Sequence, residues 1–263
     1  MSTADAPLDA ERARIKDFFI AERGYWRPWT DTMLDACPGF VQQYARYAGY
    51  PARTGPLTPR MVELIYVGLD ASSSHLFESG LRTHMQKALE VGATPRDIFD
   101  VLHLVTVQGA ASACQATDIL AELCGTDGDD SLTPIDDALQ ARIDSVGAEH
   151  ALALQSMARL DPGYAQVLLD FIEHGRPESG NGGLTPPESS LVQLALHACF
   201  TAFNAGAVRQ LIATALSQGL KPTELLQAIQ LGSHLAVHGT ALGANVFRQL
   251  PAQGTQTQHK ERP

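Results

Sequence analysis

Apolar residues recur at intervals of three and four along most of the 263-residue chain, which is the spacing of an amphipathic helix. The clearest example is the run from Met61 to Leu69. It follows Thr58, a good N-cap residue, and Pro59, which is favoured at the first helical position. The alternation of apolar and polar residues that is typical of strands is missing from the sequence. The pattern therefore predicts an all-α fold.

Two further helices are predicted after this run. One covers Ser79 to Leu89 and stops at Gly92, a residue type that is common just after a helix end. The other is capped by Thr94-Pro95 and runs from Asp97 towards Leu123. Small residues at positions 109–113 would let this long helix pack closely against a neighbour.

The helical pattern occurs twice in the chain. Five short motifs of the first half recur in the same order in the second half, 124 to 130 residues later. The pairs are Pro38-Gly39-Phe40 and Pro162-Gly163-Tyr164, Leu57-Thr58-Pro59 and Leu184-Thr185-Pro186, Ala88-Leu89 with Gly92 and Ala215-Leu216 with Gly219, Pro95 with Asp97-Ile98 and Pro222 with Glu224-Leu225, and Gly109 and Gly239. A repeat of this length indicates a duplicated domain rather than a short solenoid unit.

The duplication predicts two tandem helical-bundle modules. We expect the first module at residues 1–125 and a diverged second module at 132–250. The acidic, glycine-rich segment 125–131 is the predicted linker. Residues 251–263 are polar and are expected to form a flexible tail.

Charge and cysteine content narrow the function classes. A net charge of −10 disfavours nucleic acid and anionic membranes as partners, because both need clustered Lys and Arg. No apolar run reaches the ~20 residues of a membrane span, and Met1 to Arg14 lacks the pattern of a secretory signal. The four cysteines, Cys37, Cys114, Cys124 and Cys199, form no Cys-x-x-Cys pair. We therefore expect a cytoplasmic protein with reduced thiols.

The order of motifs in the first half resembles a known family. The segments that carry the resemblance are Leu57 to Glu63, Leu81-Arg82-Thr83-His84, Ala88 to Ile98, and Gly109. Together they look like the carboxymuconolactone decarboxylase and alkylhydroperoxidase D superfamily. The resemblance implies bundles of the alkylhydroperoxidase D type for both modules, and it is weaker in the second.

The peroxidase branch of this family has a Cys-x-x-Cys-x-x-x-His motif and a Glu on the preceding helix. If His84 takes the histidine position, the two cysteine positions fall on Phe77 and Gly80. Neither residue can form a thiolate, which excludes thiol-peroxidase chemistry at this site. The Glu position falls on Ile65, and Glu63 lies two residues away.

The decarboxylase branch lacks those cysteines and has a similar context around its histidine, so His84 matches that branch better. In the second module the corresponding position falls on Leu211 or, with one residue of slippage, on Gln210. The second module therefore lacks the family histidine, and two equal active sites are not expected.

Four residues that could carry chemistry lie close together in the first module. His75, Glu78 and Arg82 have the spacing i, i+3, i+7, which places them on one face of a helix, and His84 follows. One interpretation is a His acid/base, an orienting carboxylate and a guanidinium that holds an anionic substrate. The alternative is a solvated helix face on which Glu78 and Arg82 form an i, i+4 pair.

His103 lies inside the apolar run Val101 to Val107. It is a catalytic candidate because the family resemblance puts the active-site pocket where this helix packs on the His84 helix. The alternative is a core histidine that is hydrogen-bonded to the backbone.

The second module has its own histidines. His234 and His238 share a helix face at i, i+4, a spacing that can bind a metal, and His197 on another helix could complete the site. The alternative is that these are polar pocket or interface histidines.

The resemblance implies a lyase that needs no cofactor, and the residues of the first module are compatible with it. It would act on a small carboxylated lactone or a related anionic intermediate of aromatic catabolism, with His84 as acid/base. The resemblance also implies a homo-oligomer, a trimer or a dimer. Two alternatives stay open: a metal-dependent enzyme built on His197, His234 and His238, and a non-catalytic ligand-binding or assembly protein.

Overall fold

The structure is a computed structural model, and it describes residues 5–125, 132–177 and 182–250. All regular elements in these ranges are helical, so the predicted all-α fold is confirmed. The predicted linker beyond Gly125 and the predicted tail at 251–263 lie outside the described residues. In the described ranges, no helix combines the length and the apolarity that crossing a membrane requires.

The helices follow the boundaries that the capping residues predict. Thr58 caps the helix that begins at Pro59 by accepting a hydrogen bond from the Met61 amide, and Gly92 takes a φ of 95° after the end of the next helix. The α-helices in chain order are α1 (Asp5–Arg23), α2 (Pro28–Ala36), α3 (Pro38–Thr54), α4 (Pro59–Ala71), α5 (Glu78–Glu90), α6 (Pro95–Gly125), α7 (Asp137–Arg142), α8 (Leu154–Leu160), α9 (Pro162–His174), α10 (Pro186–Ala198), α11 (Ala205–Ser217), α12 (Pro222–Ser233) and α13 (Val237–Gln249). A π-helical segment, Ile143–Gly147, follows α7, and a 3₁₀ turn, His234–Ala236, precedes α13.

The chain divides into two compact units. Unit 1 comprises Met1–Tyr50 and His234–Pro263. Its core is aromatic: Phe19 is fully buried and meets the rings of Tyr25, Trp26, Trp29 and Tyr44, with centroid distances of 5.3 to 6.2 Å. Helices α2 and α13 also pack together in this unit. The segment that carries Trp26 and Trp29 therefore contributes to the core of this unit.

Unit 2 comprises Pro51–Ser233 and has two central helices, α4 and α10. Nearly every residue from 61 to 70 in α4 and every residue from Ser189 to His197 in α10 is buried, as expected for helices covered on all sides. Each of the two contacts the other and also α6 and α12. At Gly68 an added Cβ would lie 3.3 Å from Val101 and Val192, so glycine allows the close approach of α4 to both α6 and α10.

Two helix pairs of the two sequence copies have matching lengths. Helices α4 and α10 both have 13 residues, as do α5 and α11, and the partners start 127 residues apart. Helices α6 and α12 also start 127 residues apart, at Pro95 and Pro222. Duplication of one helical module would produce these equal lengths and this constant offset. The division into modules at 1–125 and 132–250 remains a prediction, and unit 2 contains helices of both copies.

Candidate active site

The imidazole of His84 is held by a carboxylate from the neighbouring helix. His84 lies on α5, and its Nδ1 is 2.5 Å from Oε2 of Glu63 on α4. Both side chains are mostly buried, with 19% and 16% of their surface exposed. The Tyr66 ring packs against the imidazole with a centroid distance of 4.5 Å. The ring of His84 is therefore fixed on one side while part of it stays within reach of solvent.

A second carboxylate, Asp70, lies near the opposite nitrogen of His84. Asp70 is only 2% exposed, and its Oδ2 lies 4.0 Å from Nε2 of His84. Its other oxygen, Oδ1, lies 3.7 Å from Nε2 of His75, and burial lowers the pKa of His75. Imidazoles and carboxylates thus alternate in the order His75, Asp70, His84, Glu63.

The connection between α4 and α5 holds this arrangement in place. The amide of Phe77 donates to the Asp70 carbonyl over 2.9 Å, and the amides of His75 and Leu76 both donate to the Ser72 carbonyl. Leu76 has a φ of 47°, a left-handed conformation that costs a bulky residue ~1 kcal/mol or more. The connection therefore keeps a strained backbone next to the site.

Gly80 is in direct contact with the Asp70 carboxylate. A Cβ built on Gly80 would lie 2.2 Å from Oδ2 of Asp70 and 2.5 Å from Cδ1 of Phe77. The family resemblance assigns the second cysteine of the peroxidase motif to position 80. In this chain a carboxylate fills the space where that side chain would be.

Residues 38–122 match the model of the carboxymuconolactone decarboxylase family. This matched stretch, residues 38–122, is the part of the chain that is similar to the family, and it is called the family domain below. The matched stretch runs from the start of α3 to near the end of α6, so Glu63, Asp70, His75 and His84 all lie inside the family domain. The resemblance found in the sequence is confirmed.

A solved structure supports the fold of a longer part of the chain. It is a protein of Burkholderia xenovorans LB400 that is provisionally named a gamma-carboxymuconolactone decarboxylase subunit. The two chains are 24% identical and superpose with a TM-score of 0.79 over 90% of this chain and 96% of the other. At this sequence identity the similarity supports a shared fold and does not extend to function. No curated protein sequence matches the chain.

The predicted pair Glu78 and Arg82 lies on an exposed face of the family domain. Nη2 of Arg82 is 2.8 Å from Oε1 of Glu78, and the two side chains are 77% and 82% exposed. On a helix, Arg82 points ~200° away from His84, because each residue turns the direction by ~100°. The geometry favours the alternative of a solvent-exposed i, i+4 pair, and the catalytic roles of both residues stay predictions.

His103 packs against α9 instead of α5. It is 6% exposed, and its ring lies 4.9 Å from the ring of Phe171. Burial and the nearby Arg176 lower the pKa of His103. These contacts favour the alternative of a core histidine.

The three predicted metal ligands divide between the two units. His234 and His238 belong to unit 1, where Nη2 of Arg23 lies 3.2 Å from Nε2 of His234. Because guanidinium groups only donate, that nitrogen of His234 acts as a hydrogen-bond acceptor. His197 is buried in unit 2, and burial lowers its pKa to about 4. The three-histidine metal site stays untested.

Sequence reasoning selected neither of the two carboxylates that flank His84, although it noted Glu63 two residues from the family's Glu position. The resemblance pointed to Ile65, which is 1% exposed and faces the core. Glu63 is the one position from 61 to 70 that is not fully buried, as a polar residue in an apolar helix would suggest. Asp70 had a weaker signal, since it is a charged residue at the end of that apolar run.

Proposed function

We propose that the family domain is a carboxy-lyase that works without a cofactor on a small carboxylated lactone or a related aromatic-catabolism intermediate. The observation that carries the proposal is the imidazole of His84, held at Nδ1 by Glu63 with Nε2 left to exchange protons. An ionised carboxylate can only accept, so Nδ1 is the protonated nitrogen in this hydrogen bond.

His84 would supply the proton that replaces the carboxylate. As the bond to the carboxylate breaks, carbon dioxide leaves and the electron pair passes into the lactone carbonyl as an enolate. The imidazolium then donates its Nε2 proton to carbon and becomes neutral. Glu63 stabilises the imidazolium and keeps the ring oriented for this transfer.

Asp70 would act on the substrate through its charge. Its buried carboxylate repels the negative carboxylate of a substrate at Nε2 of His84, and this repulsion disappears as neutral carbon dioxide forms. The distances of 4.0 Å to His84 and 3.7 Å to His75 are longer than hydrogen bonds. A bridging water molecule could therefore connect these groups and return a proton to His84 after each turnover.

The cysteines support a lyase over a thiol peroxidase. Positions 77 and 80 hold Phe77 and Gly80. Cys114 is buried, and burial together with Asp118 raises the pKa of its thiol to about 11, which disfavours the reactive thiolate. Cys199 is also buried, and the exposed Cys37 has no cysteine three residues away with which to form a Cys-x-x-Cys pair.

The test is a screen of carboxylated lactones for carbon dioxide release by the full chain. We expect at least one to be decarboxylated, and we expect His84→Ala to lower kcat about 10²- to 10⁴-fold, the usual contribution of a general acid/base. Glu63→Gln should also lower kcat, because the amide leaves the imidazolium without its counter-charge.

His174→Ala is the matched control, because it removes an imidazole that is 77% exposed on α9. Turnover by this variant should equal that of the unaltered chain. Full activity of His84→Ala would contradict the proposal. If no lactone acid turns over, and His84→Ala still binds the same compounds, the chain is a binding protein instead. Stoichiometric metal that is lost in His238→Ala would favour the metal-dependent alternative.

A further inference from the structure

A cavity of about 350 Å³ opens in unit 2, away from His84. One wall is a single face of α6, with Gln108, Ser112 and Gln115 at the spacing i, i+4, i+7. The opposite side comes from His197, near the end of α10, and from the connection to α11, which includes Asn204. This volume is sufficient for a small ring compound.

The cavity is polar but uncharged. Amide and hydroxyl side chains dominate its lining, and the described residues that form it include no Asp, Glu, Lys or Arg. His197 is 3% exposed, and burial lowers its pKa to about 4, so its imidazole is neutral at pH 7. Phe203 stands at the edge of the cavity with 65% of its surface exposed. These features favour an uncharged ligand over an ionic one.

Two side-chain amides at the cavity have a fixed orientation. Oδ1 of Asn204 accepts a hydrogen bond from the Ala207 amide at the start of α11, and Nε2 of Gln115 donates to the same oxygen over 2.6 Å. The remaining atoms of the pair are therefore the Nδ2 donor of Asn204 and the Oε1 acceptor of Gln115. Neither atom is hydrogen-bonded to any residue that the structure describes.

The imidazole of His197 lines the same cavity. Within the described ranges no hydrogen bond to its ring is found, although the residue is almost fully buried. Buried polar groups in proteins are nearly always paired with protein, water or ligand. A molecule in the cavity would supply the missing partner.

The cavity lies at the second copy's counterpart of the α4–α5 connection. His197 and Asn204 stand 127 residues after Asp70, the penultimate residue of α4, and Phe77, which directly precedes α5. The buried carboxylate of the first copy is thus replaced by a neutral imidazole in the second. The repeat predicts a site at this place, and the change of charge predicts a different ligand.

We propose that this cavity binds a small uncharged molecule that carries an amide edge, such as a primary carboxamide, a lactam or a cyclic imide. An amide edge offers one acceptor and one donor, so Nδ2 of Asn204 can donate to its carbonyl and Oε1 of Gln115 can accept from its N–H. A carboxylate offers only acceptors and would face Oε1 of Gln115 without a hydrogen between them. The proposal is independent of the chemistry at His84.

Nicotinamide and nicotinate test this distinction, because they have the same size and differ in the amide and the carboxylate. Uracil serves as a second uncharged probe with an amide edge. Saturation-transfer NMR on the full chain should give a Kd of about 1 mM or tighter for at least one uncharged probe. Nicotinate should bind at least about tenfold more weakly. Its carboxylate has no hydrogen to donate to Oε1 of Gln115, and the two acceptor oxygens repel each other.

Asn204→Asp is the decisive variant. It keeps Oδ1, which caps α11 and accepts from Gln115, but it replaces the Nδ2 donor with an acceptor. We expect binding of the uncharged probe to weaken about tenfold or more while Tm changes little. Gln115→Met, at an exposed position, removes the Oε1 acceptor and is expected to weaken binding in the same way.

Gln43→Glu is the control, because it makes the same kind of substitution at an exposed position of α3. Its binding should be unchanged. The proposal is overturned if neither uncharged probe binds at about 10 mM, if nicotinate binds equally well, or if both cavity variants bind normally. Since His84→Ala leaves the cavity intact, it should still bind the uncharged probe, and this result separates the cavity from the proposed lyase activity.

Discussion

The carboxylate of Asp70 lies directly against Gly80, and this contact explains why a glycine occupies the first turns of α5. Glycine costs a helix interior about 1 kcal/mol relative to alanine. Here it leaves room for a buried carboxylate that would otherwise meet a Cβ at 2.2 Å. The site thus gives up some helix stability to bring Asp70 close to His84.

Gly80→Ala should therefore harm both the fold and the activity. The added methyl group must displace Asp70 or Phe77, and overpacking of this kind costs about 1–3 kcal/mol. We expect a lower Tm in thermal unfolding and slower turnover in the proposed lyase reaction. Gly109→Ala is the matched control, since a Cβ at this helical glycine of α6 meets no atom within 4 Å. An unchanged or higher Tm for Gly80→Ala would contradict the close contact between Gly80 and the carboxylate of Asp70.

A single ionic cluster links three helices of unit 2. Arg60 on α4 lies 2.9 Å from Asp97 on α6 and also contacts Glu188 on α10. Asp97 is 1% exposed and accepts further hydrogen bonds from the amides of Thr94 and Gly183. Burial alone would raise the pKa of Asp97, but the hydrogen bonds from Thr94, Arg60 and Gly183 lower it overall.

Removing Arg60 should destabilise unit 2. In Arg60→Met the buried carboxylate of Asp97 loses its cationic partner, and breaking a buried pair in this way costs about 3–5 kcal/mol. The measurement is the free energy of unfolding in urea at pH 7. Arg82→Met breaks an exposed ion pair and should change this free energy by less than about 1 kcal/mol. Equal effects of the two substitutions would refute the structural role of the cluster.

The helices illustrate what local sequence can predict. Thr58-Pro59 and Thr94-Pro95 were identified as helix starts, and α4 and α6 begin at Pro59 and Pro95. These starts depend on neighbouring residues, since a cap side chain bonds an amide three positions ahead.

The partner of His84 cannot be predicted in the same way. Glu63 reaches it from another helix, and the length and conformation of the α4–α5 connection decide which residue of α4 faces His84.

Buried neutral histidines give the molecule a defined response to acid. His150 is 5% exposed, and burial, followed by the charges of Arg176 and His103, lowers its pKa to about 4. Burial lowers the pKa of His197 to about 4 as well. In the unfolded chain both groups would titrate at about 6.5. Between about pH 4 and about pH 6.5 the unfolded state therefore binds more protons than the folded state.

Stability should consequently fall as pH decreases from about 6.5 to 4. The pKa difference between the unfolded and the folded state corresponds to roughly 3 kcal/mol in the free energy of unfolding for each of the two histidines. This stability is fully present above about pH 6.5 and is lost as the pH falls towards about 4. Urea unfolding at pH 7 and at pH 4.5 measures the difference. His150→Asn should flatten the dependence, whereas the exposed His174→Gln should leave it unchanged. Equal stability at both pH values would contradict this assignment.

The sequence by itself determined the all-α fold and the main helix boundaries and singled out His84 as a candidate, because these follow from local periodicity, capping and a family motif. The tertiary structure decided which groups meet. It paired His84 with Glu63 and Asp70, left Glu78 and Arg82 on an exposed face, and packed His103 against α9. The physical reason is that helices α4, α5, α6 and α10 meet through side chains far apart in sequence. Their rotation and connections select the contacts, and no local pattern encodes that choice.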